Sequence, residues 1–370
     1  GALANGHEMA KGEFIAIFDA DFIPESNFLQ NTLPAFSDSK VGLVQTRWEH
    51  INEKYSFLTR LQAFGLDAHF SIEQKGRNNA GHFMNFNGTA GVWRKQCIDD
   101  AGGWNADTLT EDLDLSYRAQ MNGWKFKFLE EVGAPAELPA AMNALKTQQY
   151  RWNKGAAECM RKNLPKVLKS KGVQLKTKLH AIFHLMNSFI FLSILSIAFL
   201  SIPILVIKST HPEYQFLFKY ATIFILSFFF LTLFYWTSVF KTYKSYGKKL
   251  KNTLEFIYLF PLFITVSMGM SLHNGIAVLE GYIGKKSPFI RTPKFNIKKA
   301  GDNWKKNKYL IKVLHPLTFL EGFLTLYFFS GIFIALTLGD FDFLPFHIML
   351  TLGFGYVFYY SVKHSKVANN

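Results

Sequence analysis

The sequence predicts an α/β domain followed by an α-helical membrane domain, and three observations carry that reading. The run Phe14-Ile-Ala-Ile-Phe18 is bounded by Gly12 and Pro24, as a strand buried on both faces would be. Hydropathy then changes along the chain. Residues 1–175 carry charges throughout, whereas from about residue 178 long apolar runs alternate with short basic loops. Finally, the 41 Lys and Arg outnumber the 27 Asp and Glu, giving a net charge of +14. Those cations cluster in the loops flanking the apolar runs. Membrane topology explains them, and no nucleic-acid partner is needed. Cys97 and Cys159 lie far apart without metal-ligand spacing and read as reduced, cytosol-facing thiols.

The elements follow in order. Residues 1–11 read as a short helix able to cover a sheet with Ala2, Leu3, Met9 and Ala10. The first strand runs into Asp19-Ala20-Asp21, two carboxylates one residue apart at a strand's carboxyl end, where open α/β sheets bind ligands. Such a pair is a hard-oxygen site suited to Mg²⁺ or Mn²⁺ shared with substrate phosphates; a solvated pair in a turn is the alternative. Glu25–Phe36 is helical, Val41–Gln45 a second strand, and residues 55–75 an amphipathic helix with Phe57, Leu58, Leu61, Phe64, Ala68 and Ile72 at helical spacing. In Phe86-Asn-Gly-Thr-Ala-Gly-Val-Trp-Arg94 the glycines permit tight turning or close approach to a ligand. Asn87 and Thr89 offer an amide and a hydroxyl to a sugar, although a glycine-containing strand needs no such role. Thr110 can cap a helix whose first turn holds Glu111 and Asp112. That pattern serves the helix dipole, or makes Asp112 a general base. Residues 123–129 alternate as a strand. In Gln148-Gln-Tyr-Arg151-Trp152, on a helix running to about Arg161, Trp152 offers a sugar a flat face and Arg151 offers forked donors to a diphosphate; packing and solvation are the alternative.

Asp19-x-Asp21, Thr110-Glu111-Asp112 and Gln148-x-x-Arg151-Trp152, in this order before a membrane domain, resemble the processive family 2 glycosyltransferases, the cellulose synthase superfamily. The wording of 86–94 and 148–152 is nearest to cellulose-synthase-like mannan and glucan synthases and their bacterial relatives. The resemblance implies a GT-A-type, Rossmann-like catalytic domain. Asp19 and Asp21 would bind the Mg²⁺ or Mn²⁺ of the donor diphosphate. Asp112, within Thr110-Glu111-Asp112, would deprotonate the acceptor hydroxyl, with inversion giving a β-linkage. Gln148, Arg151 and Trp152 would hold the diphosphate and the terminal acceptor sugar, with Asn87, Gly88 and Thr89 flanking the acceptor end. Cellulose synthases proper carry Cys where Asn87 stands. Phe289-Ile-Arg-Thr292-Pro-Lys294 resembles the family's gating loop, Phe-x-Val-Thr-x-Lys, with Arg291 in place of Val. Thr292 and Lys294 would reach the diphosphate while Phe289 packs; a basic juxtamembrane loop on anionic lipid is the alternative. The family's earlier strands, with an Asp for the nucleoside base and a Lys for the diphosphate, have no counterpart in these 370 residues. The α/β domain is therefore expected to be incomplete at its N-terminus, and this chain alone inactive.

The expected division is a cytoplasmic transferase domain over 1–175 and a membrane domain over 176–370. Spans are expected at 179–207, 216–240, 314–337 and 343–362. The basic flanks around residues 241–251 and 285–312 both belong inside, so 254–284 is read as interfacial, leading into the gating-like loop within 254–312. Trp236, Tyr235, His184, Asn187 and Tyr327 are candidates to line a glycan channel. The resulting reading is an integral membrane enzyme, in the plasma or inner membrane of a bacterium or the Golgi of a plant. It moves a hexose from UDP-glucose or GDP-mannose to a growing β-glycan and translocates the polymer. Its partners are the nucleotide-sugar donor, a glycan or lipid-linked acceptor, the bilayer and accessory export subunits. A non-processive transferase adding one sugar to a lipid acceptor shares the same motifs. A non-catalytic scaffold or transporter would not need Asp112.

Overall fold

A computed structural model describes residues 1–221, 223, 225–242, 249–297, 302, 304 and 314–369. The chain divides into two compact units: Gly1–Ala140 with Thr147–Ser188 and Ala277–Trp304, and Ala141–Lys146 with Phe189–Ile276 and Lys305–Asn370.

The first unit is built on a mixed sheet of order β1-β3-β2-β4, where β1 is Phe14–Ile17, β2 Val41–His50, β3 Gly91–Arg94 and β4 Lys125–Ala136. β3 runs antiparallel to β1 and β2, with Ile15 opposite Trp93 and Val44 opposite Val92. β2 and β4 are parallel. The expectation that the Phe14 strand is buried on both faces is not met. Among the described residues β1 pairs with β3 alone, and Ala16 is exposed. The strand buried on both faces is β2, whose first six residues are all buried, Leu43 within one hydrophobic cluster and Val41 and Val44 within another. β4 alternates in its first half, with Phe126 and Phe128 inward and Lys125 and Lys127 outward. One side of the sheet closes over Leu43, Phe70, Phe86, Trp93, Cys97, Leu115 and Phe126. Both cysteines are free and buried.

Helix α1, Phe57–Ala68, starts with a capping box in which the Ser56 hydroxyl accepts from the Thr59 amide and the Thr59 hydroxyl accepts from the Ser56 amide. The single helix expected over 55–75 widens after Ala68 into a π-helical turn, His69–Gln74. Helix α2 is Glu111–Met121, and α3 is Met142–Lys169. Helix α4, Leu175–Leu185, buries Thr177, Ala181 and Leu185, the last two in a cluster with Tyr117, Cys159, Leu164 and Val167.

The second unit is helical: α5 Phe189–Thr210, α6 Ile225–Thr242, α7 Lys249–Gly269, the first half of α8 (Ser271–Ile283), α9 Leu317–Leu338 and α10 Leu344–Asn369. Its core joins Ala198, Met268, Leu272, Leu324, Phe328, Leu350 and Phe354. Among the described residues, α5, α7 and α9 are long and apolar enough to cross a membrane. The run drawn over 179–207 is two helices, separated by a turn at 186–188. The first half of 254–284 lies in α7. Residues 243–248 of the basic flank, and 298–301, 303 and 305–312 of the 254–312 segment, lie outside the described residues.

Where α7 meets α10, Gly269 and Gly353 face each other. A Cβ on Gly269 would run into the backbone of Gly353, and one on Gly353 into the Thr265 carbonyl, the close approach that small residues allow between apolar helices. Gly353→Val is expected to destabilise this contact by about 1–3 kcal/mol. The check is a lower unfolding temperature for the variant in nanodiscs, and an unchanged one would show that the helices separate without loss.

Candidate active site

The acidic helix start is seated by α3. Successive turns of α3 present Gln148, Arg151, Trp152, Gly155, Glu158, Cys159, Lys162 and Asn163 on one face. Gly155 leaves the notch for Thr110, since a Cβ there would collide with the threonine's side chain and amide. Thr110 is the N-cap residue of α2 by position, but its hydroxyl caps nothing and lies 3.4 Å from Cys159 Sγ. The Leu109 amide donates to Glu158 Oε2 at 2.8 Å. Buried Asp114 accepts from Asn163 Nδ2 at 2.9 Å and Arg118 Nε at 2.9 Å, with Lys162 Nζ at 3.0 Å. These contacts fix the first turn of α2, and with it Asp112, against the helix that carries Arg151.

Asp112 accepts from the Leu113 amide at 2.8 Å through Oδ1. Its other oxygen faces Gly88, where a Cβ would come to 3.0 Å and where φ is +82°. Glycine meets both demands there, the left-handed backbone and the clearance. Loss of surrounding water pushes the Asp112 carboxyl up to about 7. Glu111 pushes the same way, and the Leu113 amide and Arg151 pull against them. Glu111 is also raised, by desolvation first, with Arg151 opposing. Arg151 is lowered by desolvation and held up by Asp112, Asp19 and Glu111, so one guanidinium lies in the field of three carboxylates. Its carbon is 4.6 Å from the centroid of the Phe289 ring, a cation–π contact.

The loop before β3 is organised by Gln45, which is fully buried on β2. Its Nε2 donates to the carbonyls of Thr46, Thr89 and Ala90 at 2.9–3.1 Å, and its Oε1 accepts from the Asn87 amide at 3.0 Å. Ala90, without glycine's freedom, sits at φ +55°, a strained conformation that such a network can hold. The loop thereby sets buried Thr89 so that its hydroxyl accepts from the Asp19 amide at 2.8 Å. Asn87 Oδ1 accepts from Asn85 Nδ2 at 2.6 Å and lies 3.4 Å from His69 Nε2, on the π-helical turn.

Asp19 is open to solvent on one side. The protein on its other sides raises its carboxyl, Asp21 adds to this, and Lys294, Arg151 and Arg291 counter it. Lys294 Nζ stands 2.7 Å from Asp21 Oδ2. No group of three or more His, Cys, Asp or Glu able to hold a metal occurs among the described residues. The donor chemistry of the two carboxylates nonetheless fits Mg²⁺ or Mn²⁺, which keep water and take phosphate oxygens from a bound substrate to complete their shell, once Lys294 gives up its place at Asp21. Trp152 is half-buried with Trp48 at 6.3 Å between ring centroids, and Gln148 is half-buried one turn earlier. The Thr292 hydroxyl is buried and has no hydrogen-bond partner among the described residues. His184, a candidate channel residue, instead meets the Tyr117 hydroxyl at 2.8 Å inside the first unit. The sequence reading did not point to Gln45, Gly155, Glu158 or Glu137, whose buried carboxylate accepts the amides of Phe295 and Asn296. Gly155 and Glu158 extend the Gln148–Arg151–Trp152 stripe at helical spacing and were legible on that ground; Gln45 and Glu137 carried no local signal.

Residues 14–270 of the 370 match the Glycosyl transferase family group 2. The chain belongs to that family. The glycosyl transferase has an α/β unit on a mixed sheet, with apolar helices in its second unit. Among curated proteins it is similar to the probable glucomannan 4-beta-mannosyltransferase 4 of Oryza sativa subsp. japonica, 45% identical over 187 residues, 50% of this chain and 34% of that protein. It is likewise similar to glucomannan 4-beta-mannosyltransferase 1 of Cyamopsis tetragonoloba, 46% identical over 187 residues, 50% of this chain and 36% of that protein. These alignments span about a third of the length of the curated relatives. Among solved structures, the mannosyltransferase PcManGT from Pyrobaculum calidifontis in complex with GDP-Man and Mn²⁺ is 14% identical. Its TM-score is 0.42 over 77% of this chain and 66% of that one.

Proposed function

We propose that this glycosyl transferase serves an inverting, metal-dependent transfer of a hexose from a nucleotide sugar to a growing β-glycan. The apolar helices would anchor it in the membrane and form the polymer's route across, with the transferase unit on the cytoplasmic side. The observation that carries the reading is Asp112: a carboxyl pushed up to about 7, its Oδ2 against Gly88, with Arg151 linking it electrostatically to Asp19. The names of the relatives favour mannose, and hence GDP-mannose, over UDP-glucose as the donor.

In this reading Asp112 takes the proton of the acceptor hydroxyl as it attacks the anomeric carbon. Asn87 and Gly88 border the acceptor, and Trp152 gives its sugar ring an apolar face. Arg151 meets the negative charge that develops on the departing diphosphate, with Gln148 on the same helical face. Asp19 and Asp21 would hold the divalent cation, which supplies Lewis-acid neutralisation of the leaving group. The segment Phe289–Lys294 closes over the diphosphate, with Thr292 offering its hydroxyl. Glu111 and Thr110 act through Asp112, the first by its charge and the second by seating the turn.

Labelled GDP-mannose and UDP-glucose supplied in parallel to membranes containing the whole protein, not these 370 residues alone, with linkage analysis of the product, test the reading. A β-linked polymer from one donor is expected, and a single-sugar glycolipid would overturn polymerisation. Chelation by EDTA, and separately Asp21→Asn, should each lower transfer by about 10²-fold. Re-addition of Mn²⁺ should restore the chelated sample alone. Undiminished transfer in EDTA would end the metal assignment.

A further inference from the structure

The segment between Ser287 and Asn296 is fastened at both ends within the first unit. At its start, the Ser287 hydroxyl meets Lys154 Nζ and lies 3.3 Å from the Tyr150 hydroxyl. Both of those groups also bind Glu280, with Lys154 Nζ at 3.1 Å. At its end, buried Glu137 accepts the amides of Phe295 and Asn296 at 2.9–3.2 Å through its carboxylate. Asn296 stands at φ +57°, so the chain turns sharply there. Lys294 precedes that turn. Its ammonium donates to the Glu137 carbonyl at 2.6 Å and stands 2.7 Å from Asp21 Oδ2. Between the fastenings, Phe289 packs against Arg151 while itself 53% exposed. The bonds at Glu137 thus hold Lys294 against one of the two carboxylates assigned above to the metal.

We infer that Lys294 is a resident counter-ion for Asp21 that discriminates against free divalent cations and favours the cation arriving with a nucleotide diphosphate. The inference rests on the metal reading of Asp19 and Asp21. The chemistry is a competition for one oxygen: Asp21 Oδ2 facing an ammonium at 2.7 Å cannot also ligate a dication without the ammonium withdrawing. A bare cation offers the displaced lysine nothing. A diphosphate offers it a new anion beside the same carboxylates, so Lys294 exchanges one partner for another instead of losing one. Glu137 is a positioning residue in this scheme, since it directs Lys294 without touching the metal or the donor.

The test is Mn²⁺ binding by the chain in lipid nanodiscs, read from the loss of the free-ion electron paramagnetic resonance signal, without and then with GDP. Without nucleotide, Lys294→Met should bind Mn²⁺ about fivefold more tightly than the wild type. Lys294→Arg, which keeps a cation, should bind as the wild type does. Glu137→Ala should tighten binding in the same direction as Lys294→Met, with Lys294 still present. Addition of GDP should tighten binding more in the wild type than in Lys294→Met. Binding that Asp21→Asn weakens but Lys294→Met leaves unchanged overturns the counter-ion role while the metal site stands. Binding that neither substitution changes, or no binding at all, overturns both readings.

Discussion

Asp112→Asn is expected to lower sugar transfer by about 10²- to 10⁴-fold, the range of a positioned general base, while leaving donor binding in place. The substitution keeps the shape that fits beside Gly88 and the hydrogen bond from the Leu113 amide, and removes the proton acceptor. In the wild type the acid limb of kcat/KM should lie near pH 7, where the carboxyl loses its proton. Activity rises with pH through that point because only the ionised form can act. The residual activity of the variant should show no such limb. Stability should move the other way. In the unfolded chain this Asp ionises near 3.8, whereas in the folded protein it holds its proton to about 7. Between those values the folded state binds more protons, so Asp112 lowers stability as pH rises through the window, and the full cost persists above it. Asp112→Asn removes that cost and should melt at a higher temperature than the wild type at pH 8, with no gain below pH 3.8. A merely structural Asp would give the reverse: little loss of transfer and a less stable variant.

What the sequence disclosed is what lies close along the chain. The acidic pair of Asp19 and Asp21, the Glu111–Asp112 helix start and the Arg151–Trp152 turn each carry their chemistry in a few residues, and the structure brings them together in one unit. The supports of that site are distant in sequence. Gln45 reaches Thr89 across 44 residues, and Glu137 reaches Phe295 across 158. A lone Gln in a strand or a Glu after one has no periodicity to announce such a role. Thr110 had the residue type of a cap, yet the notch at Gly155 takes its side chain and the capping bond is not made. The Phe14 strand failed for another reason. An apolar run reports that a strand is sticky, not what packs on each of its faces, and Ala16 is left exposed on one of them. The turn at 186–188 interrupts an apolar run with no Gly or Pro to mark it.

Arg151→Ala should cost about 10³-fold in transfer, comparable with the removal of a guanidinium that stabilises a departing phosphate group. It should also leave a signature that simple loss of a binding contact would not. Arg151 lowers the Asp112 carboxyl, so its removal leaves Asp112, Glu111 and Asp19 to repel one another without a resident cation among them. Asp112 then holds its proton to higher pH, and the acid limb of kcat/KM should move to the alkaline side of its wild-type position. Arg151→Lys separates charge from shape. It restores a cation, so the limb should return toward pH 7. It lacks the planar fork for a diphosphate and the flat face now packed against Phe289, so transfer should remain about 10²-fold low. A limb that stays in place when Arg151 becomes Ala would break the electrostatic link between the two helices that the acid–base assignment requires. A limb that moves with Ala and returns with Lys would tie Asp112 to the titration, because Arg151 itself stays charged throughout the range.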